Sequence, residues 1–164
     1  MIPSLVIPPA GPLVGIADLK AHLRIDFDDD DALIVSLEKA AVAHLDGWRG
    51  ILRRCIQAQT WEISFDQAGC HRLPFEDVTS IEVSGGMAKL SRDARGSFVT
   101  LSEATTVTMI VQSPADVQEI AAIAVKMLVE DWYDASRKGA ASGPMATVPL
   151  TVDRLLAPVR AVRI

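Results

Sequence analysis

Residues 105–137 read TTVTMIVQSPADVQEIAAIAVKMLVEDWYDASR. Within this run the apolar spacing changes from a period of two to one of about 3.6. Val107, Met109 and Val111 alternate with Thr106, Thr108 and Ile110, the pattern of a strand with one buried face. Ser113-Pro114-Ala115-Asp116 then supplies an N-cap residue, a proline for the first helical position and an acid in the first turn. The helix it opens is expected to continue to about Arg137. Its middle, IAAIAVKMLV, is apolar nearly all round, so a single stripe against a local core does not bury it. Helix and sheet in one short run point to an α+β chain.

Working outward, the same two periods recur. Ile16, Leu19 and Leu23 mark a first short helix to about Arg24. Ile34, Leu37, Ala41, Leu45 and Trp48 line one face of a second, with Gly50 as its stop. Trp61, Ile63 and Phe65 alternate with polar neighbours, as do Ile81 and Val83 ahead of the Gly85-Gly86 turn, and Phe98 to Leu101 adds a further strand. The expectation is a mainly helical α+β fold. Three to four helices carry a small antiparallel β-sheet inserted between the second and third long segments. Residues 1–14 hold four prolines and read as an extended arm. Residues 15–137 form the core domain, and residues 138–164 a flexible linker with a short helix at Val152 to Ala157 and a basic, apolar tail.

Composition narrows the function classes. With 164 residues the chain suits one domain, and three Trp, one Tyr and four Phe leave the core to Leu, Ile, Val and Ala. The net charge of −5 argues against a free-standing nucleic-acid binder but not against a wall past which DNA slides. Ile120 to Val129, the densest apolar stretch, contains Lys126 and is about half of what a membrane span needs. No basic residue precedes Lys20, so the start does not read as a signal peptide, and a soluble protein is expected. Cys55 and Cys70 are expected to be reduced thiols.

The most conspicuous cluster is Asp26, Asp28, Asp29, Asp30 and Asp31. Asp26, Asp28 and Asp30 imitate the opening of a calcium loop, but Asp31 stands where glycine is required and Leu37 where glutamate is. The competing reading is that these acids favour the positive end of the second helix. His22, His44 and His71 are scattered, Cys70-His71 lacks a second cysteine at metal spacing, and no nucleophile elbow, Walker loop or dinucleotide fingerprint occurs. No enzyme, cofactor or metal is expected. Trp48, Trp61, Trp132 and Tyr133 lack interleaved basic residues, and core or interface roles suit them better than base stacking. In the tail, Arg154, Arg160 and Arg163 alternate with Leu155, Leu156, Val159, Val162 and Ile164. This is the make-up of a segment that finds order on a partner.

The order of these pieces resembles a known family. PLVGIADLKAHLRIDFDDDDALIVSLEKAAVAHLDGWRG looks like the opening of the head–tail connector (adaptor) proteins of long-tailed phages and gene transfer agents. There an L-x-x-x-K-x-H-L-R-I-D helix precedes an acidic turn and a long Ala-rich helix ending near W-x-G. QTWEISFD and LPFEDVTSIEVSGG resemble the family's strands, and LVEDWYDASR and VDRLLAPVR its last two helices. Leu19 is shifted towards the lysine, Gly15 replaces the usual Ser or Thr cap, and Glu76-Asp77 stands where proline is common.

The resemblance implies a structural subunit in the neck of a virion or phage-like particle, assembled in the host cytoplasm. About a dozen copies would form a ring beneath the portal, widen the DNA channel without gripping DNA, and dock a downstream tail or stopper protein. Arg154, Leu155, Leu156, Val159, Arg160, Val162, Arg163 and Ile164 would dock on the portal. Ile120, Ile123, Met127 and Trp132 would face the next copy, and Asp28, Asp29, Asp30 and Asp31 would line the channel or cap the helix. The alternatives left open are another non-catalytic tail-completion or interaction module, and a calcium-dependent or hydrolytic protein using the aspartates.

Overall fold

The periodicity at Ser113 is realised as a boundary between two layers. The computed structural model describes residues 2–137 and 148–161. On the helical side lie α1 (Ile16–Leu23), α2 (Asp31–Leu45), α3 (Ala115–Arg137) and α4 (Leu150–Leu156), the last followed by a 3-10 turn at Ala157–Val159. The stripe read from the sequence is the buried one: Ile34, Leu37, Ala41 and Leu45 of α2 are all in the core. Helix α3 meets α1, α2 and α4 on different sides. Its Ala121 and Ala124 are fully buried, and such small side chains let neighbouring helices approach closely. Burying each of Val125, Leu128 and Val129 contributes about 1.5–3 kcal/mol.

Helix α2 ends at Leu45, three residues earlier than its apolar stripe suggested, because the chain turns tightly there. Ile51 N–H reaches the His44 carbonyl and Leu52 N–H that of Leu45. A Cβ at Gly50 would lie 2.3 Å from the carbonyl oxygens of both Leu45 and Asp46, so only glycine fits this turn.

The β layer is larger than expected. Strands β1 (Ser4–Ile7), β2 (Gln59–Phe65), β7 (Thr105–Val111) and β4 (Val78–Val83) form one antiparallel sheet, in the order β1-β2-β7-β4. Strands β3 (Gly69–Arg72), β6 (Gly96–Leu101) and β5 (Ala88–Asp93) form a second, in the order β3-β6-β5. Trp61, Ile63, Val107 and Met109 of the first sheet share one buried cluster with Val99 and Leu101 of the second, which makes a two-layer sandwich. The α+β class and the three to four helices expected are found, while the mainly helical balance with one small sheet is corrected: among the described residues seven strands form two antiparallel sheets beside four helices. The missed strands have physical reasons. GCHR in β3 faces solvent over most of its length, and AKLSRD in β5 has only Ala88 and Leu90 against the core, so neither carries enough apolar alternation to betray a strand. Cys70 and His71 lie in β3, and part of the proline-rich arm is strand β1.

On the second sheet Arg72 donates two hydrogen bonds to Asp93, at 2.7 and 2.9 Å, and Arg95 N–H adds a third at 2.8 Å. These bonds, Arg72's first, hold the Asp93 carboxyl at about 2, below its ordinary 3.8. A folded value below the unfolded one means the pair's support is present above about 3.8 and is lost as pH falls towards 2. Carboxyl-carbon NMR titration should give that low midpoint, and Arg72→Ala should raise it towards 3.8.

A polar belt joins the two layers. Asp46, just past α2, accepts Ile56 N–H at 2.7 Å and the Gln59 amide at 2.5 Å, while Gln59 accepts the Trp61 indole N–H at 3.0 Å. An indole only donates, so this chain fixes the Gln59 amide with its nitrogen towards Asp46. Burial pushes the Asp46 carboxyl up from its ordinary value, opposed by hydrogen bonds from Ile56, Gln59 and Gly47. Asp46→Asn would relieve the buried charge but set an amide donor against the Gln59 donor. The mismatch wins, with an expected loss of about 2 kcal/mol in urea unfolding. Beside it Arg54 bridges Asp77 and Glu76, Ser113 N–H bonds the Cys55 carbonyl, and Gln112 N–H bonds that of Asp77.

Candidate interaction surfaces

The acidic turn between α1 and α2 is built as a clamp. Arg24 takes a left-handed conformation with φ 58°, which turns the chain out of α1. Lys20 then reaches Asp28 at 2.5 Å and Asp31 at 2.9 Å. The hydrogen bond from Lys20 holds the Asp28 carboxyl below its ordinary value. Tyr133 O–H, from the far end of α3, donates to Asp30 Oδ2 at 2.5 Å. The acids do sit at the positive end of α2, with Asp31 in its first turn and Asp30 at the N-cap position, but no side-chain cap bond is made by Asp30. Its carboxylate is taken by Tyr133, and those of Asp28 and Asp31 by Lys20, so these acids tie α1, α2 and α3 together. Asp29 is exposed. Among the described residues no group of three His, Cys, Asp or Glu side chains is placed to hold a metal ion. No described helix is long and apolar enough to cross a membrane.

The surface assigned to α3 is smaller than its sequence suggests. Ile123 is 51% exposed, but Ile120, Met127 and Trp132 are half-buried against their own core, and Trp132 meets His44 edge-on at 6.3 Å. Helices α1, α2 and α4 all pack against α3 within one chain, which accounts for its buried side chains and leaves Ile123 open. His22 on α1 pairs with Glu130 on α3 at 3.1 Å.

The C-terminal segment is not a detached end either. Val152 and Leu156 of α4 are fully buried in the helical core, and Ala161 N–H bonds the Leu52 carbonyl at 3.0 Å. Leu156 is therefore removed from any docking surface. Arg154 remains exposed, Leu155 and Val159 are half-buried, and Arg160 pairs with Asp153 at 2.6 Å. Val162, Arg163 and Ile164, and most of the linker (138–147), lie outside the described residues.

One surface was missed. Strand β1 pairs with β2 on one side, and all four of its residues are exposed. The signal was present, since SLVI is a short apolar run closed by Pro3 and Pro8, but the prolines drew it towards an extended arm.

The class that these elements define is α+β, with four helices packed beside a two-sheet antiparallel sandwich. No protein-family model matches the chain, and no curated protein does. Among solved structures, it is similar to a chain of the "Neck of empty GTA particle computed with C6 symmetry". The TM-score is 0.72 at 17% identity, with 100% of this chain and 97% of that one covered. The two chains share a fold from end to end.

Proposed function

We propose that this protein is a structural head–tail connector in the neck of a phage-like particle, non-catalytic, and assembled as a ring of about a dozen copies beneath the portal. The observation that carries the reading is the end-to-end fold shared with a chain of a GTA particle neck. It agrees with the order of sequence motifs, a resemblance reached from the residues alone. A ring of twelve is compatible with sixfold averaging, because twelve is a multiple of six.

In such a ring the exposed Asp29 and the clamped acids beside it give a channel wall that repels phosphate, so DNA passes without being held. The portal would be met by what α4 leaves facing outward, namely Arg154 with Leu155, Val159 and Arg160, together with the residues that follow. The opposite end of the ring would receive a tail or stopper protein.

Electron microscopy and native mass spectrometry of the purified protein mixed with its portal test this reading. The expected result is a closed ring seated on the portal. A protein that stays monomeric and unbound in the presence of portal would overturn it in favour of another interaction module.

A further inference from the structure

Strand β1 is an apolar edge strand without a charged side chain. Leu5, Val6 and Ile7 are 46%, 50% and 57% exposed, and Ile2 ahead of them is 76% exposed. The row continues over the sheet's outer face: Ile7 pairs with Thr60 and Thr60 with Ile110, which is 44% exposed. Proteins that remain alone blunt such edges with lysine or inward charge, since an open ladder of N–H and C=O groups recruits other strands. Here the strand carries neither; its shortness, the flanking Pro3 and Pro8 and the register shift between Leu5 and Ile7 limit how long a ladder it can offer, but leave its apolar side chains open.

Charge says what covers it. From Ile2 to Ala17 the chain holds no ionisable side chain, while the whole carries a net charge of −5. Two copies of one acidic chain repel, and they approach at least Coulomb cost where both charge and its screening demands are absent. DNA, or a partner recognised by charge, would find nothing to grip on this segment. Backbone ladder bonds and apolar contact remain, and they are supplied by another strand edge.

We propose that the open edge of β1, with Ile7 and Ile110 beside it, is the surface through which one copy of this chain contacts the next. This rests on the ring reading above and names the element that joins the copies. A four-residue ladder is short, so each contact is weak alone and is reinforced when the ring closes.

The test places a photo-crosslinking amino acid at Val6 in the full chain. Equal amounts of isotopically light and heavy protein are mixed, alone at high concentration and on the portal, and crosslinked peptides are identified by mass. Light–heavy pairs joining Val6 to a second copy are expected. Val6→Lys should weaken copy-to-copy association by roughly tenfold or more while leaving the thermal midpoint unchanged, because Val6 is half exposed. Crosslinks confined to one copy, or reaching only the portal, in preparations that native mass spectrometry shows to be rings, would overturn the β1 contact and leave the ring reading standing. Absence of any oligomer with or without portal would overturn both.

Discussion

Leu156→Ala is expected to lower the thermal midpoint of the isolated protein by roughly 10 °C. Leu156 is fully buried on α4 among Leu128, Val129 and Val152 of the same cluster. Emptying such a site costs about 2–5 kcal/mol, transfer and cavity together, and a domain of this size loses about 2–4 °C per kcal/mol. Calorimetry or circular-dichroism melting measures it. The result separates two views of the C-terminal segment. A free docking peptide would leave the monomer's midpoint untouched, whereas a helix built into the core cannot. Arg154→Ala, two residues earlier and on the exposed side of the helix, should change stability by less than about 0.5 kcal/mol. Any loss of portal binding by that variant would then report on docking and not on folding.

The second large effect lies in the belt between the layers. Arg54 spans Asp77 at 2.5 Å and Glu76 at 2.6 Å, with side-chain exposures of 16%, 12% and 31% respectively. Arg54→Met would keep most of the volume and remove both charge-assisted bonds, leaving two adjacent carboxylates facing each other. Breaking a buried pair by removing one partner costs about 3–5 kcal/mol. Glu76 is partly solvated, and Ser113 still reaches Asp77 Oδ2 at 3.4 Å, so the lower end, about 3 kcal/mol, is expected. Denaturant unfolding should show it. Adding Asp77→Asn to Arg54→Met should cost less than the sum of the single changes, because the second change removes the stranded charge. Full additivity would mean that the three side chains do not act as a unit.

Much of the helical layer was legible because an amphipathic helix declares its buried face locally. Ile34, Leu37, Ala41 and Leu45 recur at three and four, and all four are in the core. The start of α3 was read to within a residue, although the helix begins at Ala115 and Ser113 turns its hydroxyl to Asp77 and does not cap it; strands β2, β4, β6 and β7 were read from the same local arithmetic. Helix α2 was placed three residues too long because its end is decided elsewhere: Asp46 leaves the helical path to accept Ile56 N–H and the Gln59 amide, thirteen residues on. Strands β3 and β5 were missed because β3 is mostly exposed and β5 offers only Ala88 and Leu90 as apolar rhythm, and pairing with β6 is what makes each a strand.

The surfaces were less legible than the fold. The aspartates lie at the start of α2 as read, but an acid at a helix start and an acid in a clamp are the same residue type. Only the approach of Lys20 from α1 and of Tyr133 from α3 distinguishes them, the latter 103 residues away in sequence. The apolar circumference of α3 looked like an invitation to a neighbour, yet α4 folds back to cover it.

Sequence by itself determined which residues prefer water and which avoid it, where the period changes from strand to helix, and therefore the α+β class and the order of its pieces. Those are local properties, set by side-chain chemistry and backbone geometry within a few residues. Tertiary structure decided which apolar faces stay open: it closed much of α3 and all of Leu156 inside one molecule and left Ile123 open and Leu5, Val6 and Ile7 on an edge. Burial is a relation between segments distant in the chain, so no reading of one segment can say whether another will come to cover it.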